Sequence, residues 1–236
     1  MQSWPVALEV GTIQAYHLQQ LADYRQMNKS AHSPEVLANR QQTLEREARL
    51  RQFGYDSPAA IEFVLAQALP LEGSVLEIGT GKGRFLVELA RQVAALTTVD
   101  IAAEEQQWAW LNARYAGVEE KIRFVVEDAA HLPWPDRTFD AVVTMNAMHH
   151  ISDFHQVLEE MLRVVKRGGK VVMADFSPRG FQMIARAHRA ENKTHPHEHY
   201  DFRELQRSLR KRGLPTWLRK GCNQEVLVAR LPASPA

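Results

Sequence analysis

Short apolar runs recur through the middle of the chain, and each carries a polar side chain at or next to its end. Val75-Leu76-Glu77-Ile78, Leu96 to Asp100, Ile122 to Asp128, Phe139 to Asn146 and Gly168 to Phe176 are five such runs. Their length and β-branched content predict buried strands. Between them the apolar positions switch to helical spacing, as in Phe85, Leu86, Leu89, Ala90 and Val93. Helices are predicted near 82–94, 103–116 and 153–166, with another over 57–69 that uses Ser57 as N-cap and Pro58 as its first residue. Strands alternating with helices mean a parallel sheet with right-handed crossovers, an α/β, Rossmann-like, doubly wound fold. Two last apolar segments, near 215–221 and 224–231, join tightly through Cys222-Asn223 and read as a hairpin, which adds an antiparallel strand.

Two stretches lie outside this pattern. Residues 1–56 hold a helical stretch around Ile13–Asn28. A second helix starts at Ser33-Pro34 and stops before Gly54, its C-cap. Ser177–Tyr200 separates the fifth strand from a helix over 201–212. The expected organisation is an N-terminal helical cap over 1–56 and a core over 57–236, with 177–200 as a cap insertion.

The turn after the first strand carries the most chemistry. Glu77 is followed at once by Gly79-Thr80-Gly81-Lys82-Gly83 and then by a helix. Missing side chains let a ligand approach the backbone at a helix N-terminus. A dinucleotide fingerprint would need glycine at position 84, where Arg84 stands, and a nucleotide-phosphate loop would need Ser or Thr after Lys82, where Gly83 stands. An acid at the strand end would oppose a pyrophosphate and suits a ligand with a cationic end. Asp100 ends the second strand, where ribose-binding folds keep a carboxylate, and Ile101 offers a flat base an apolar surface. Asp128 and Ala129 end the third strand, with the acid suited to an exocyclic amine. Ligands of open α/β sheets bind at this carboxyl edge. An amine, a ribose and a purine amine together describe S-adenosylmethionine. The cofactor-binding set is Glu77, Gly79, Thr80, Gly81, Gly83, Asp100, Ile101, Asp128, Ala129 and Asn146, the last closing over the methionine end. Any one of the acids taken singly could instead cap a following helix.

Glu77-Ile-Gly-Thr-Gly-Lys-Gly, Asp100, the stretch Asp128 to Asp140 and Leu162 to Gly169 together resemble the class I S-adenosylmethionine-dependent methyltransferases, most closely the ubiquinone/menaquinone-biosynthesis branch. The resemblance covers roughly residues 57–176, with 201–231 in outline. It departs at Arg167, where the family usually has proline. It implies the strand order 3-2-1-4-5-7-6 and a roof over the acceptor made by segments at 1–56 and 177–200.

Methyl transfer from a sulfonium is an in-line displacement, so holding the acceptor aligned is the main task. An acceptor hydroxyl or acidic carbon also needs a base. His149 and His150 stand where the fourth strand ends, and Asp175 ends the fifth. A histidine oriented by that aspartate is the candidate base, and the resemblance points the same way. The bland alternative is that the histidines only shape the pocket. His195, His197 and His199 alternate on an extended stretch, and His188 or Cys222 could add a metal ligand, but no tight Cys/His framework exists and no metal is assigned.

Charge changes this picture little. The net charge is +1, so no global field favours nucleic acid or membrane. Residues 177–220 carry eleven basic side chains against four acidic. That surplus keeps an RNA substrate as the main rival, the plainer reading being a solvated helix around 201–212 with Leu205 and Leu209 on its buried side. One cysteine, Cys222, excludes an intrachain disulfide, and no apolar run approaches a membrane span or a secretory leader. The expectation is a cytoplasmic enzyme with a small-molecule methyl acceptor, a homodimer through 34–53 being open. A non-catalytic S-adenosylmethionine-binding protein is the alternative from another class.

Overall fold

A computed structural model describes residues 33–192 and 200–233. Its elements run α1 (Pro34–Gln52), α2 (Ser57–Ala68), β1 (Ser74–Ile78), α3 (Arg84–Gln92), β2 (Ala95–Asp100), α4 (Ala103–Ala116), β3 (Ile122–Val126), β4 (Phe139–Met145), α5 (Phe154–Val164), β5 (Val165–Phe176), α6 (Pro178–Ala190), α7 (Phe202–Lys211), β6 (Thr216–Gly221) and β7 (Gln224–Arg230). A single sheet has the order β3-β2-β1-β4-β5-β7-β6. The first five strands are parallel, and β7 runs antiparallel to both β5 and β6.

The side-chain alternation of the strands divides the core in two. Val75, Ala141, Val143, Val172, Ala174 and Val226 face a layer built from α2, α3, α4 and α6. Leu76, Ile78, Val142, Val171, Met173 and Leu227 face α5 and α7. Both faces of the parallel strands are therefore covered, which is why these runs lack a polar face. Asp140 ties the far end of the sheet together: its Oδ2 accepts from the Ser74 amide and hydroxyl and from Lys166 Nζ, each at 2.8 Å.

Four sequence expectations change. Asp56, not Ser57, caps α2, its Oδ1 accepting from Ala59 N at 3.1 Å. The Ser57 hydroxyl accepts from Arg84 Nη1 instead. The helix expected over 82–94 is shorter, because Gly83 sits in the left-handed region at φ 75° and holds Lys82 out of the helix. The fifth strand begins at Val165 rather than Gly168. Lastly, residues 178–190 form a regular helix, α6, with the Ser177 side chain accepting from Gly180 N and Pro178 in the first turn. That is the same Ser-Pro start that opens α1 at Ser33-Pro34.

The basic surplus of 177–220 is partly absorbed. Arg212 pairs with Glu159, Lys220 with Glu225, and Arg210 donates to Thr216. In α7, Phe202, Leu205 and Leu209 are buried and the arginines lie outside. The helix expected at 13–28 and the histidines at 195, 197 and 199 fall outside the described residues.

Candidate active site

The carboxyl ends of β1, β2, β3 and β4 open into a cleft of about 920 Å³. Gly79, Thr80, Gly81, Gly83, Asp100, Ile101, Asp128, Ala129, Asn146 and His150 all line it. Local chain geometry explains the glycines. Gly79 has φ 82°, and a Cβ there would sit 2.2 Å from the Ala147 Cβ; at Gly83 a Cβ would meet Ala109 at 2.8 Å. Gly81 differs: its φ is 47° and a Cβ would meet nothing within 4 Å. The first and third glycines are needed for packing, while the second faces open space that a ligand can use.

Asp100 holds the loop in place. One carboxylate oxygen accepts from Gly81 N at 2.8 Å and the other from Ala102 N at 3.0 Å. Each oxygen keeps a second lone pair for a hydroxyl donor. Ile101, next in sequence, is 72 % exposed, which is unusual for an isoleucine beside a cleft and suits a surface that a base covers. Asp128 accepts from Ala130 N at 2.9 Å and is half-exposed.

Glu77 does not behave as a cleft residue. It is 1 % exposed and is not among the residues lining the cleft. Thr98 Oγ1 donates to it at 2.6 Å, which obliges Thr80 Oγ1, also 2.6 Å away, to donate to Thr98. Gln106 Nε2 in turn donates to Thr80 at 3.1 Å and to the Val125 carbonyl at 3.0 Å. This directed chain clamps the glycine loop from beneath. Burial pushes the Glu77 carboxyl up to about 8, although the Thr98 hydrogen bond opposes the shift.

The histidine pair separates into two environments. His149 is 3 % exposed and is not among the cleft-lining residues, whereas His150 lines the cleft and is exposed. His149 Nδ1 lies 2.7 Å from Asp175 Oδ1, and Phe176 and Phe181 pack on its ring with centroids at 5.4 and 5.3 Å. The two imidazoles are themselves in contact, with centroids 4.1 Å apart. The packed protein around His150, then the neighbouring His149, holds the His150 pKa below the ordinary histidine value.

Three sets of side chains were not named from the sequence. α1, in the 1–56 segment expected over the acceptor, lines the cleft with Asn39, Thr43 and Arg46, and Arg49 pairs with Glu191 just past α6. Asn112 joins roof to floor, since its Nδ2 donates to the Lys82 carbonyl at 2.7 Å and its Oδ1 accepts from Thr43 at 3.2 Å. Arg84 lines the cleft beside the glycine loop and donates to Ser57 Oγ at 3.0 Å. Burial and then repulsion from Arg46 pull its pKa down, conditions that an incoming anion would relieve. Of these side chains, Arg84 alone had an individual signal in the sequence: it displaces the glycine a dinucleotide would need. Among the described residues, no group of three His, Cys, Asp or Glu side chains could hold a metal, and no helix is long and apolar enough to cross a membrane.

Residues 76–173 match the family model described as a methyltransferase domain. The methyltransferase GfsG of Streptomyces halstedii is 35% identical over 107 residues, 45% of this chain and 38% of that protein. The ubiquinone/menaquinone biosynthesis C-methyltransferase UbiE of Geobacter sulfurreducens is 34% identical over 132 residues, 55% of this chain and 52% of its own length. The chain thus spans about half or less of the curated relatives it matches. Among solved structures, the YcgJ protein of Bacillus subtilis superposes with a TM-score of 0.56 at 26% identity, covering 69% of this chain and 70% of that one. Residues 76–173 thus match a methyltransferase domain, and the relatives that the chain resembles include ubiquinone/menaquinone biosynthesis methyltransferases.

Proposed function

We propose that the cleft binds S-adenosylmethionine and that the protein methylates an oxygen or carbon of a small-molecule acceptor. One observation carries the reading: Asp100 grips Gly81 N while Gly81 itself faces open space. A strand-end acid with free lone pairs, an open glycine loop and an exposed Ile101 fit a nucleoside with an amino-acid tail. Asp100 then accepts from the ribose hydroxyls, Ile101 covers the base, and Asp128 with Ala129 meets its edge. The backbone at Gly79 and Gly81 and the Asn146 corner flank the tail. Arg84 suits the tail's carboxylate. Glu77 acts through Thr98 and Thr80 as a positioning residue.

When bound, S-adenosylmethionine supplies a methyl group already activated on a sulfonium. The chain's own residues do the rest. His150, neutral at pH 7, accepts the acceptor's proton at an imidazole nitrogen. His149, aligned by Asp175, sets the orientation of the His150 ring. α1 and α6 exclude water above the cleft and serve as the acceptor's roof. The quinone-pathway name of the Geobacter relative supports a small acceptor, and the pairing of Arg210, Arg212 and Lys220 within the fold weighs against RNA. A cytoplasmic location and a homodimer through α1 belong to the same proposal. Fractionation and light scattering test them.

The central experiment is calorimetry with S-adenosylmethionine and S-adenosylhomocysteine, followed by turnover against an acceptor panel. Micromolar binding of both is expected, on the order of 8 kcal/mol. Heat with NADH or ATP and none with either adenosyl compound overturns the proposal. Tight binding with no turnover on any acceptor would favour a cofactor-sensing role.

A further inference from the structure

Tyr55 lies in the connection between α1 and α2, far in sequence from the strand ends, yet its hydroxyl reaches the corner where β4 enters the cleft. The residue is 1 % exposed. Asn146 Nδ2 donates to Tyr55 Oη at 3.4 Å, and Gln224 Nε2, from the start of β7, donates to the same oxygen at 2.9 Å. The ring packs edge-on against Phe176, centroids 5.3 Å apart. A single hydroxyl therefore joins the N-terminal helical segment, the β4 corner and the C-terminal hairpin.

Asn146 has φ 54°, a left-handed conformation that asparagine adopts more readily than most side-chain-bearing residues. Its amide N is fixed to the Ala174 carbonyl at 2.9 Å, and the next residue, Ala147, is the one that abuts Gly79. Asn146 Oδ1 and Gln224 Oε1 are both buried without a hydrogen-bond partner among the described residues. Turning either amide over would let the Tyr55 hydroxyl donate to its oxygen, but the other oxygen would still lack a partner, so a buried polar deficit remains at this junction. The Nδ2 of Asn146 thus points inward, and the residue meets the cleft through its left-handed backbone and the remainder of its surface.

We propose that Tyr55 is a positioning residue for cofactor binding: its hydroxyl anchors Asn146, which sets the wall against which the methionine tail lies. This rests on the S-adenosylmethionine reading of the cleft. It adds a role for a residue that does not itself line the cleft.

The test is Tyr55→Phe, which keeps the ring packing and removes only the hydroxyl. Two ligands separate positioning from general loosening. S-adenosylhomocysteine carries the amino-acid tail, and 5′-methylthioadenosine has the same nucleoside without it. For Tyr55→Phe, S-adenosylhomocysteine affinity is expected to fall about tenfold, the order of one hydrogen bond, with methylthioadenosine within about twofold of wild type. Gln224→Met provides a second variant: it disturbs the same buried junction but leaves the Asn146 contact, so the ratio of the two affinities should stay at the wild-type value. Equal losses for both ligands in Tyr55→Phe, or no loss for either, overturn the proposal. Should the wild-type protein bind neither ligand, the cofactor reading itself fails, a result distinct from the other outcomes.

Discussion

Asp175 holds His149 at two points. Its Oδ1 lies 2.7 Å from the imidazole Nδ1, and its Oδ2 accepts from the His149 backbone N at 3.1 Å. Ring and backbone are locked together, so the neighbouring His150 emerges into the cleft at a fixed angle.

Asp175→Asn should therefore damage turnover more than cofactor binding. The amide presents a donor to one of the two His149 nitrogens and releases the ring. Turnover is expected to drop on the order of 10²-fold, with S-adenosylhomocysteine affinity within about threefold of wild type. Equal losses in both would assign Asp175 a purely structural part.

His150 sets the pH profile. Its pKa is lowered, so the neutral, proton-accepting form persists to more acidic pH than in an ordinary histidine. The acid limb of kcat/KM should lie below about pH 6.5, activity rising with pH through it and flat at neutrality. In His150→Gln the limb should vanish along with about 10²–10⁴-fold of the rate. A limb that survives the substitution belongs to another group.

Two glycines should respond differently to alanine. At Gly79 the new methyl collides with Ala147, so Gly79→Ala should lower the melting temperature and the cofactor affinity together. At Gly81 it enters open space, and only the left-handed φ costs stability, roughly 1–2 kcal/mol. Gly81→Ala should lose much more affinity than its modest stability change explains. Thermal melts and calorimetry on both variants make the comparison.

Glu77 should make stability pH-dependent in an unusual direction for a carboxylate. Its folded pKa of about 8 exceeds the ordinary 4.5, so the folded state keeps a proton that the unfolded chain releases. Stability from this group is full below about pH 4.5, declines as pH rises, and levels off above about 8. Glu77→Gln retains an acceptor for Thr98 and removes the titration. Relative to wild type, the variant should gain on the order of 3 kcal/mol between pH 5 and pH 8.5 in urea unfolding. A constant difference across that range would place Glu77 in its ordinary ionised form.

Much of the candidate site is legible in the sequence. The glycine turn, the acids at 100 and 128 and the apolar Ile101 lie at or next to strand ends, and strand ends follow from local periodicity. Once the runs are strands of one parallel sheet, their carboxyl ends must share an edge. The short link at 222–223 likewise fixed the hairpin. Ser177-Pro178 signals the start of helix α6, but the basic, histidine-bearing tract around it obscures its apolar stripe of Phe181, Ile184 and Ala187.

The direction in which each polar group faces was not legible. Glu77 and Asp100 are both acids at or near the end of adjacent parallel strands, yet one is sealed under the loop and the other reaches its amide. Adjacent His149 and His150 diverge because Phe181 of α6 closes over one ring and leaves the other open. Tyr55 reaches Asn146 and Gln224 across 91 and 169 residues. The sequence by itself determined the order of elements and which chemistry gathers at the sheet's edge, since backbone periodicity and turn geometry are local. Which of those groups meets a ligand and which is spent on the protein's own framework was decided by packing between distant segments.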